Sequence, residues 1–377
     1  MRDQELLLLC LAHLNWDHVW QRPQQLMSRF SRRCNVLYVE PPVVMKDVER
    51  PHFQERQGES GVKVLRPIFP PHLPGHAGDA GTEVWRPLLP QLLAQPWARI
   101  VLWVFSPRAH QLVALAKPAV TLSVYDCMDD LTSFRDGTEE IRLREIQLMK
   151  QVDLVFTGGK SLYEARKSRH PRVHCFPSGI DLSHYQKVFD PRTAIPARLS
   201  SLSSPRLGYF GVLDERIDWP LITQVAARRP EWQWILIGPT AKVSPTELPQ
   251  AANIHYFGQQ RYEDLPAFLK GFDVATMPFA LNKATRYISP TKTLEYLAGG
   301  KDVVSTSVPD VVAAYRRVVI IADGAEAWVD AIERLLRADS VQQQARREDV
   351  RPLLENSTWD GIVDRMWSLI QDAMASR

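Results

Sequence analysis

The sequence predicts an α/β fold with two successive parallel sheets, and three observations lead to this prediction. Short apolar runs alternate with longer segments of helical period, which is typical of strand–helix–strand units and a parallel sheet. The alternation begins near the N-terminus and starts again at Arg206. The chain has 377 residues, more than the roughly 100–200 residues of one ordinary domain. We therefore expect two domains.

The predicted strands of the first domain are residues 6–12, 35–40, 100–105, 120–125, 152–157 and 173–176. Those of the second domain are residues 207–213, 234–237, 253–257, 274–278, 303–306 and 318–321. Between the two series, residues 190–205 are rich in proline and serine and lack apolar periodicity, as connectors do. We therefore predict an N-terminal domain at residues 1–190, a linker at 191–205 and a C-terminal domain at 206–356.

The last predicted element is an amphipathic helix at residues 357–377, where large apolar residues from Trp359 to Met374 recur at helical spacing. This helix either packs on the second domain or crosses back to the first. A proline- and glycine-rich stretch at residues 67–82 predicts a loop near the ligand site.

Composition limits the classes of function. Hydrophobic residues make up 45% of the chain and charged residues 24%, as in ordinary globular proteins. The net charge of +3 is too small to indicate nucleic-acid binding. Because the excess lies before Asp190, contact with an anionic membrane surface and an ordinary solvated face both remain open.

Neither a spanning segment nor a secreted protein is expected. No run of about 18 apolar residues occurs, so any membrane contact would be peripheral, and residues 6–12 do not have the features of a signal peptide. The four cysteines lack the spacing of a metal site or a disulfide framework. We expect reduced thiols and a cytoplasmic protein, at Cys10, Cys34, Cys127 and Cys175.

The strongest candidate site follows the fourth strand of the second domain, because ligands of such sheets bind at the carboxyl ends of strands. We predict Ser289 as a helix N-cap, Pro290 as the first helical residue and Thr291 in a first turn whose free amides bind phosphate. Lys292 opposes the helix dipole, which a bound diphosphate would explain. Glu295, one turn further, can accept both hydroxyls of a ribose. The alternative is a solvated helix with scattered charges.

Three segments carry a family resemblance. SPTKTLEYLAGGKDVVST, residues 289–306, resembles the donor-site helix of glycosyltransferase family 4, with its EYLAxGxPVV pattern. Glu295 matches the second glutamate of that family's E-x7-E pattern, and Tyr287 stands where the first would be. PSGIDLSHY, residues 177–185, resembles the segment PNGVDxxxF, and GYFGVLDERIDWPLI, residues 208–222, resembles the first strand and loop of the family's second domain. The pattern also resembles that of teichuronic-acid-type transferases of bacterial polysaccharide clusters.

The resemblance implies a GT-B fold, in which two Rossmann-like domains have parallel sheets that face each other across a cleft. It also implies that a glycine turn and a basic residue contact the donor diphosphate, and Gly211 and Arg216 match these positions. Gly238, after the next strand, matches a place where backbone groups hold the base. For Arg216, a salt bridge with Asp214 or Asp218 is the alternative.

The first domain has a different kind of loop after its first strand. Residues 13–30 contain no glycine, which disfavours a dinucleotide-binding oxidoreductase. Polar and aromatic side chains alternate there, as suits a sugar or lipid-pyrophosphate acceptor, and aromatic residues capping a helix start are the alternative. The candidate acceptor-binding residues are His13, Asp17, His18, Gln21 and Arg22.

Three carboxylates follow the strand that ends at Tyr125. They suggest a metal site or a catalytic base, but GT-B enzymes generally need no metal, so we expect none. We favour Asp126 or Asp129 as contacts of the acceptor hydroxyl or donor sugar. For Asp130, capping of the following helix is the alternative.

Together these features predict a glycosyltransferase that moves a sugar from a UDP- or GDP-linked donor to a saccharide or polyprenyl-diphosphate-linked acceptor. Arg216, Lys292 and the first-turn amides would stabilise the leaving diphosphate. The resemblance implies retention of anomeric configuration, no further cofactor, and a role in bacterial surface polysaccharide synthesis at the inner face of the plasma membrane. The alternatives are a GT-B nucleotide-sugar epimerase or hydrolase, and a non-catalytic assembly protein.

Overall fold

The computed structural model describes residues 3–71, 85–93 and 97–376, and the chain divides into two compact units. The first unit contains Met1–Thr132, Asp136–Pro177 and Asp360–Arg377. The second contains Ser133–Arg135 and Ser178–Trp359. The predicted linker at 191–205 therefore lies within the second unit, and residues 72–82 of the predicted loop lie outside the described residues.

The first unit is built on a sheet with nine described strands in the order β3-β5-β2-β1-β6-β7-β8-β9, with β4 beside β5. All pairs are parallel except β4 with β5. The strands are β1 Asp3–Leu11, β2 Cys34–Val39, β3 Val43–Val44, β4 His52–Gln57, β5 Lys63–Phe69, β6 Arg99–Val104, β7 Leu122–Cys127, β8 Leu154–Thr157 and β9 Val173–Cys175.

The centre of this sheet forms because its strands are apolar on both faces. Leu6, Leu7, Leu8 and Leu9 are all fully buried, as expected for a parallel strand covered on both sides. The described α-helices of this unit are Arg22–Phe30, Leu89–Leu93, His110–Ala116, Glu139–Gln151, Lys160–Arg166 and the part of Trp359–Ala375 from Asp360 onward.

The C-terminal helix belongs to the first unit through specific contacts. Asp360 accepts a hydrogen bond from Nε of Arg29 at 3.1 Å. The ring of Trp367 lies 6.2 Å from that of Phe30, so polar and aromatic contacts join the last helix to the helix Arg22–Phe30.

The second unit has six described strands in the order β12-β11-β10-β13-β14-β15, all parallel. They are β10 Arg206–Phe210, β11 Gln233–Ile237, β12 Ile254–Gly258, β13 Val274–Met277, β14 Val303–Ser305 and β15 Ile320–Ile321. The chain first extends the sheet to one side of β10 and then returns to the other side with β13. This reversal creates a switch point between β10 and β13, where open α/β sheets bind ligands.

Helices cover both faces of this second sheet. One example is the helix Ala325–Leu336, whose fully buried Trp328 stacks on Trp234 of β11 at 6.3 Å. The described α-helices are Leu182–Tyr185, Ala197–Ser200, Trp219–Arg228, Leu265–Lys270, Thr291–Ala298, Pro309–Tyr315, Ala325–Leu336 and Ser340–Asn356. Among the described helices of both units, none is long and apolar enough to span a bilayer.

Candidate functional site

Two glycine turns bring the ends of β10 and β11 together. Gly211 donates its amide hydrogen to the carbonyl of Ile237, and Gly238 donates to the carbonyl of Gly258, both at 2.8 Å. Their φ angles are 145° and 144°, which residues with a Cβ rarely adopt. A Cβ on Gly238 would lie 1.9 Å from the carbonyl oxygen of Gly211. The two turns are thus in direct backbone contact.

Lys292 lies over the first of these turns. A Cβ on Gly211 would be 2.0 Å from Cε and 2.7 Å from Nζ of Lys292, and Nζ is 5.9 Å from the centroid of the Tyr209 ring. Lys292 is the second residue of the helix Thr291–Ala298, where the helix dipole disfavours a cation. Two predicted donor-site residues, Gly211 and Lys292, are therefore neighbours.

The helix that carries Lys292 starts one residue later than predicted. Its N-cap is Pro290, with φ −68° and ψ 121°, and Thr291 is the first helical residue. The predicted cap at Ser289 and the predicted helical position of Pro290 are therefore wrong, because the extended backbone of Pro290 delays the helix. The carbonyl of Ser289 instead accepts a hydrogen bond from the Ser178 hydroxyl at 2.8 Å.

This late start matters for anion binding. Proline offers no side-chain acceptor, and the N-cap residue Pro290 makes no side-chain hydrogen bond to the first turn. Uncapped amides at a helix start are the donors that phosphate groups use. The phosphate binding predicted for this turn therefore does not depend on a cap at Ser289 and stays a prediction.

Glu295 is the acidic group beside Lys292. The residue keeps some exposed surface, yet its carboxyl group is enclosed by protein, and this burial raises the pKa of Glu295 to about 7. The charge of Lys292 and the hydroxyl of Tyr185 act in the opposite direction and lower that pKa. Near neutral pH, Glu295 is therefore present in both protonation states.

Arg216 is held by a neighbouring carboxylate. Its Nε lies 3.0 Å from both carboxylate oxygens of Asp214, and its Nη2 lies 2.7 Å from Oδ2. The alternative interpretation, a salt bridge with Asp214, is therefore confirmed. Because a guanidinium has five N–H donors, this pairing leaves Arg216 capable of further hydrogen bonds.

The segment Ser133–Arg135, which belongs to the second unit, packs beside Arg216. The Phe134 ring lies 5.6 Å from the guanidinium of Arg216 and 4.7 Å from Nζ of Lys242. The amide of Arg135 donates to both carboxylate oxygens of Glu215 at 3.1 Å. No pattern in the sequence indicated this loop, because its contacts join residues about 80 positions apart.

The hydroxyl of Tyr209 lies near Arg216, Asp214 and Glu295, all of which influence its pKa. Burial raises the pKa of Tyr209, Arg216 lowers it, and Asp214 and Glu295 raise it further. The same hydroxyl would be 3.0 Å from a Cβ on Gly211. We call five residues around it the strand-end cluster: Gly211, Arg216, Gly238, Lys292 and Glu295.

In the first unit, His13 follows β1. Its ring lies 6.1 Å from that of Phe105, and burial lowers the pKa of His13 to about 4. Its Nδ1 is buried and has no hydrogen-bond partner among the residues that the structure describes. His13 is therefore a neutral imidazole at pH 7 with a buried ring nitrogen that makes no hydrogen bond to the described residues.

Other predicted acceptor residues surround the start of the following helix. Asp17 and His18 are exposed, and Asp17 pairs with Arg56 at 2.8 Å. Gln21 is the N-cap of the helix Arg22–Phe30 and forms a reciprocal capping box with Gln24. The helix is therefore capped by glutamine, and the alternative of an aromatic cap is wrong.

Arg22 and Asp126 are paired with each other in the interior. The guanidinium Nε lies 3.0 Å from both Asp126 oxygens, and Nη1 donates to the Phe176 carbonyl at 2.8 Å. Arg22 is 3% exposed and Asp126 is fully buried. Burial raises the pKa of Asp126, and Arg22 lowers it. Arg22 and Asp126 therefore satisfy each other in the interior of the first unit, and their predicted contact with an acceptor stays a prediction.

The remaining two carboxylates of this segment differ in environment. Asp129 is partly exposed. Asp130 accepts hydrogen bonds from the Thr132 amide at 3.1 Å and the Thr132 hydroxyl at 2.6 Å, and it lies 3.3 Å from Arg166. The capping alternative for Asp130 is therefore confirmed, since Thr132 lies in the next helical turn.

Glu40 follows β2 and holds the loop that comes after β1. It was not among the predicted site residues. Its carboxylate accepts hydrogen bonds from the Trp16 amide at 2.8 Å, from Arg56 at 2.6 Å and from Arg66 at 2.7 Å. A signal was present, because a glutamate directly after a buried strand occupies a ligand-facing position.

Within residues 3–71, 85–93 and 97–376, no group of three or more His, Cys, Asp or Glu side chains is arranged to hold a metal ion.

Comparison with known proteins agrees with this geometry. A family model described as "Glycosyl transferases group 1" matches residues 204–338. The chain is also 23% identical over 253 residues to a putative teichuronic acid biosynthesis glycosyltransferase, TuaH, of Bacillus subtilis (strain 168). That match covers 60% of this chain and 62% of the relative, so it spans about three fifths of each protein.

Solved structures resemble the whole chain. An E. coli protein described as trehalose-6-phosphate bound with UDP-2-fluoro glucose has a TM-score of 0.72 at 11% identity, covering 98% of this chain and 99% of that one. Sucrose-phosphate synthase from Thermosynechococcus elongatus has a TM-score of 0.71 at 15% identity, with all of both chains covered. The catalytic domain of starch synthase IV from Arabidopsis thaliana, bound to ADP and acarbose, reaches 0.71 at 11% identity, covering 99% of this chain and 100% of that one.

At these identities the structural likeness shows the fold, and the family match adds the type of domain. The α/β chain with two sheets that was predicted from the sequence is confirmed. The chain has the GT-B fold and resembles glycosyltransferases of family 4, with a match to a glycosyl transferases group 1 domain over residues 204–338.

Proposed function

We propose that this chain transfers a sugar from a nucleoside diphosphate sugar, linked to UDP or GDP, to a saccharide or polyprenyl-diphosphate-linked saccharide acceptor. The observation that carries the proposal is the placement of Lys292 against the turn at Gly211, at an uncapped helix start. Such a combination binds a diphosphate through backbone amides and one cation. Glu295, one turn further along the same helix, would accept the ribose hydroxyls.

The resemblance to family 4 supports the following reaction. The bond between the anomeric carbon and the donor phosphate oxygen breaks, and the acceptor oxygen forms its bond to that carbon on the same face. The departing diphosphate takes the acceptor proton, so the anomeric configuration is retained and no metal or further cofactor is required. Lys292, Arg216 and the first-turn amides stabilise the developing negative charge. Ser289, Pro290 and Thr291 shape this end, and Gly238 supports the base.

The acceptor is proposed to bind in the first unit. His13 offers a neutral ring nitrogen, and Asp17, His18, Gln21 and Asp129 would contact acceptor hydroxyls. Arg22 and Asp126 would hold the loop in position. Similarity to a protein named for teichuronic acid biosynthesis supports a role in bacterial surface polysaccharide synthesis, and we propose that the enzyme acts at the inner face of the plasma membrane.

A binding assay tests the donor site. Thermal shift and calorimetry with UDP-, GDP- and ADP-sugars identify the donor, and Lys292→Met is then compared with Lys150→Met, which removes an exposed lysine of the first unit. A charged hydrogen bond contributes about 1.5–3 kcal/mol. We therefore expect about 10- to 150-fold weaker donor binding for Lys292→Met and wild-type binding for Lys150→Met.

Three results would contradict the proposal. Equal donor affinity in Lys292→Met and wild type would remove the diphosphate assignment. Donor hydrolysis or epimerisation without transfer to any saccharide acceptor would favour an epimerase or hydrolase, and failure to bind any nucleotide would favour an assembly protein.

A further inference from the structure

Tyr185 ends the short helix Leu182–Tyr185 and is fully buried. Its ring stacks on Phe210 of β10 at 6.2 Å with an angle of 10° between the ring planes. The rings of His184 and Tyr262 contact it edge-on at 4.9 and 6.2 Å. Aromatic packing on several sides therefore fixes the direction in which the hydroxyl points.

That hydroxyl has an unusual environment. It lacks a hydrogen-bond partner in regular geometry within the described part of the chain. Burial raises the pKa of Tyr185, and the nearby Glu295 carboxyl raises it further, with smaller contributions from Tyr262 and Tyr296. In return, the Tyr185 hydroxyl acts as a hydrogen-bond donor that lowers the pKa of Glu295. A buried hydroxyl with an incomplete hydrogen bond is destabilising, so fold stability alone does not explain it.

Other contacts also join the segment around Tyr185 to the helix Thr291–Ala298, which carries Lys292 and Glu295. The Ser178 hydroxyl donates to the Ser289 carbonyl at 2.8 Å, and the helix Leu182–Tyr185 packs against the helix Thr291–Ala298. These contacts place Tyr185 against the helix that carries Glu295.

We propose that Tyr185 is a positioning residue for the donor nucleoside, because its hydroxyl donates to ionised Glu295 and orients the carboxylate toward the ribose. This inference rests on the proposed function, since it takes Glu295 as the acceptor of the ribose hydroxyls. Small movements on donor binding then complete the hydrogen bond that is incomplete here.

The proposal predicts a pH dependence with a defined sign. Among the described residues, the groups that interact electrostatically with the Glu295 carboxyl include Lys292 and Tyr296 of its own helix, Tyr209 of β10, and Tyr185. Lys292 and Tyr185 favour the ionised form. Ribose hydroxyls donate to a carboxylate, so donor affinity rises as pH increases through the pKa of Glu295. Removal of the Tyr185 hydroxyl raises this pKa further and moves the transition to higher pH.

Calorimetric titration with UDP-glucose, GDP-mannose and ADP-glucose between pH 5.5 and 9 tests this, because such donors have no phosphate group that titrates in that range. For the donor that binds, Tyr185→Phe should shift the transition upward and weaken binding at pH 6 by about 3- to 10-fold, which corresponds to a pKa change of about 0.5–1. Glu295→Gln should bind weakly at every pH. The matched control is Tyr256→Phe, which removes a hydroxyl bonded to the Pro249 carbonyl and should keep the wild-type profile.

Thermal unfolding separates positioning from a structural role. Because the Tyr185 hydroxyl has no regular partner, Tyr185→Phe should unfold at the wild-type temperature or above it. A destabilised or unfolded Tyr185→Phe protein would overturn the inference, and so would a wild-type pH profile in this variant. If wild-type protein bound none of the donors at any pH, the proposed function would fail and this inference with it.

Discussion

Replacement of Gly238 by alanine is the sharpest test of the two-turn arrangement. The new Cβ would lie 1.9 Å from the carbonyl oxygen of Gly211, which is backbone and not the flexible end of a side chain. The residue would also have to keep a φ of 144°. Both the conformation and the contact are therefore unfavourable, and one of the two turns must move.

The size of the effect follows from these two contributions. A residue with a Cβ in a sparsely populated backbone region costs about 1–3 kcal/mol, and overpacking costs about 1–3 kcal/mol more. Gly258→Ala is the matched control, because its φ is also positive, at 67°, but a Cβ there would meet nothing within 4 Å. We expect Gly258→Ala to show only a conformational cost of about 1–2 kcal/mol.

Calorimetric unfolding and donor titration on the same samples measure both consequences. Gly238→Ala should unfold at a lower temperature than Gly258→Ala, and it should bind the donor more weakly, because Lys292 lies on the displaced Gly211 turn. If Gly238→Ala matched Gly258→Ala in both unfolding temperature and donor affinity, the close contact of the two turns would be refuted.

Two further predictions concern buried charges. Asp126→Asn should destabilise the protein by about 3–5 kcal/mol in chemical denaturation at pH 7, because it leaves the Arg22 guanidinium buried without its partner. Arg22→Met should destabilise the protein less, since Asp126 can take up a proton. An equal or larger loss of stability in Arg22→Met would contradict this prediction. Burial lowers the pKa of Lys301 to about 8, below its value of about 10.4 in unfolded chains. From pH 8 to 9.5 the unfolded protein therefore binds more protons than the folded protein, so Lys301 makes the free energy of unfolding rise by about 1 kcal/mol over this interval. The same denaturation series on Lys301→Met should lack that rise.

Much of the fold could be predicted because burial leaves a direct trace in the sequence. The strands at residues 6–12 and 234–237 were predicted from continuous apolar runs, and both lie in sheet interiors. The strands β3 and β4 were missed for the opposite reason. All residues of β4 are exposed or half-buried, and both residues of β3 are exposed, so the hydrophobic pattern there was weak. The strand β5 was missed although most of its residues are buried, because Arg66 and Pro67 interrupt its apolar run.

The candidate site was predicted to a different depth. Residue types after a strand indicated where phosphate and ribose groups would bind, and Lys292 does lie on the Gly211 turn. The cap at Ser289 failed because a serine before a proline looks like a helix start, whereas the structure keeps Pro290 extended. Local chemistry favoured two neighbouring positions almost equally, and the contact of Ser289 with Ser178 was not visible in the local sequence.

Side-chain partners from distant parts of the chain explain the remaining differences. Asp126 was a reasonable candidate for acceptor contact because it ends a buried strand, yet its partner Arg22 lies 104 positions earlier. The two meet only because β1 and β7 are both neighbours of β6 in the sheet. Tyr185 and Glu295 likewise come from separate segments of the second unit. A charged or polar residue can therefore be assigned to a strand end from sequence, but whether it serves a ligand or another side chain depends on strand order, which only the folded chain specifies.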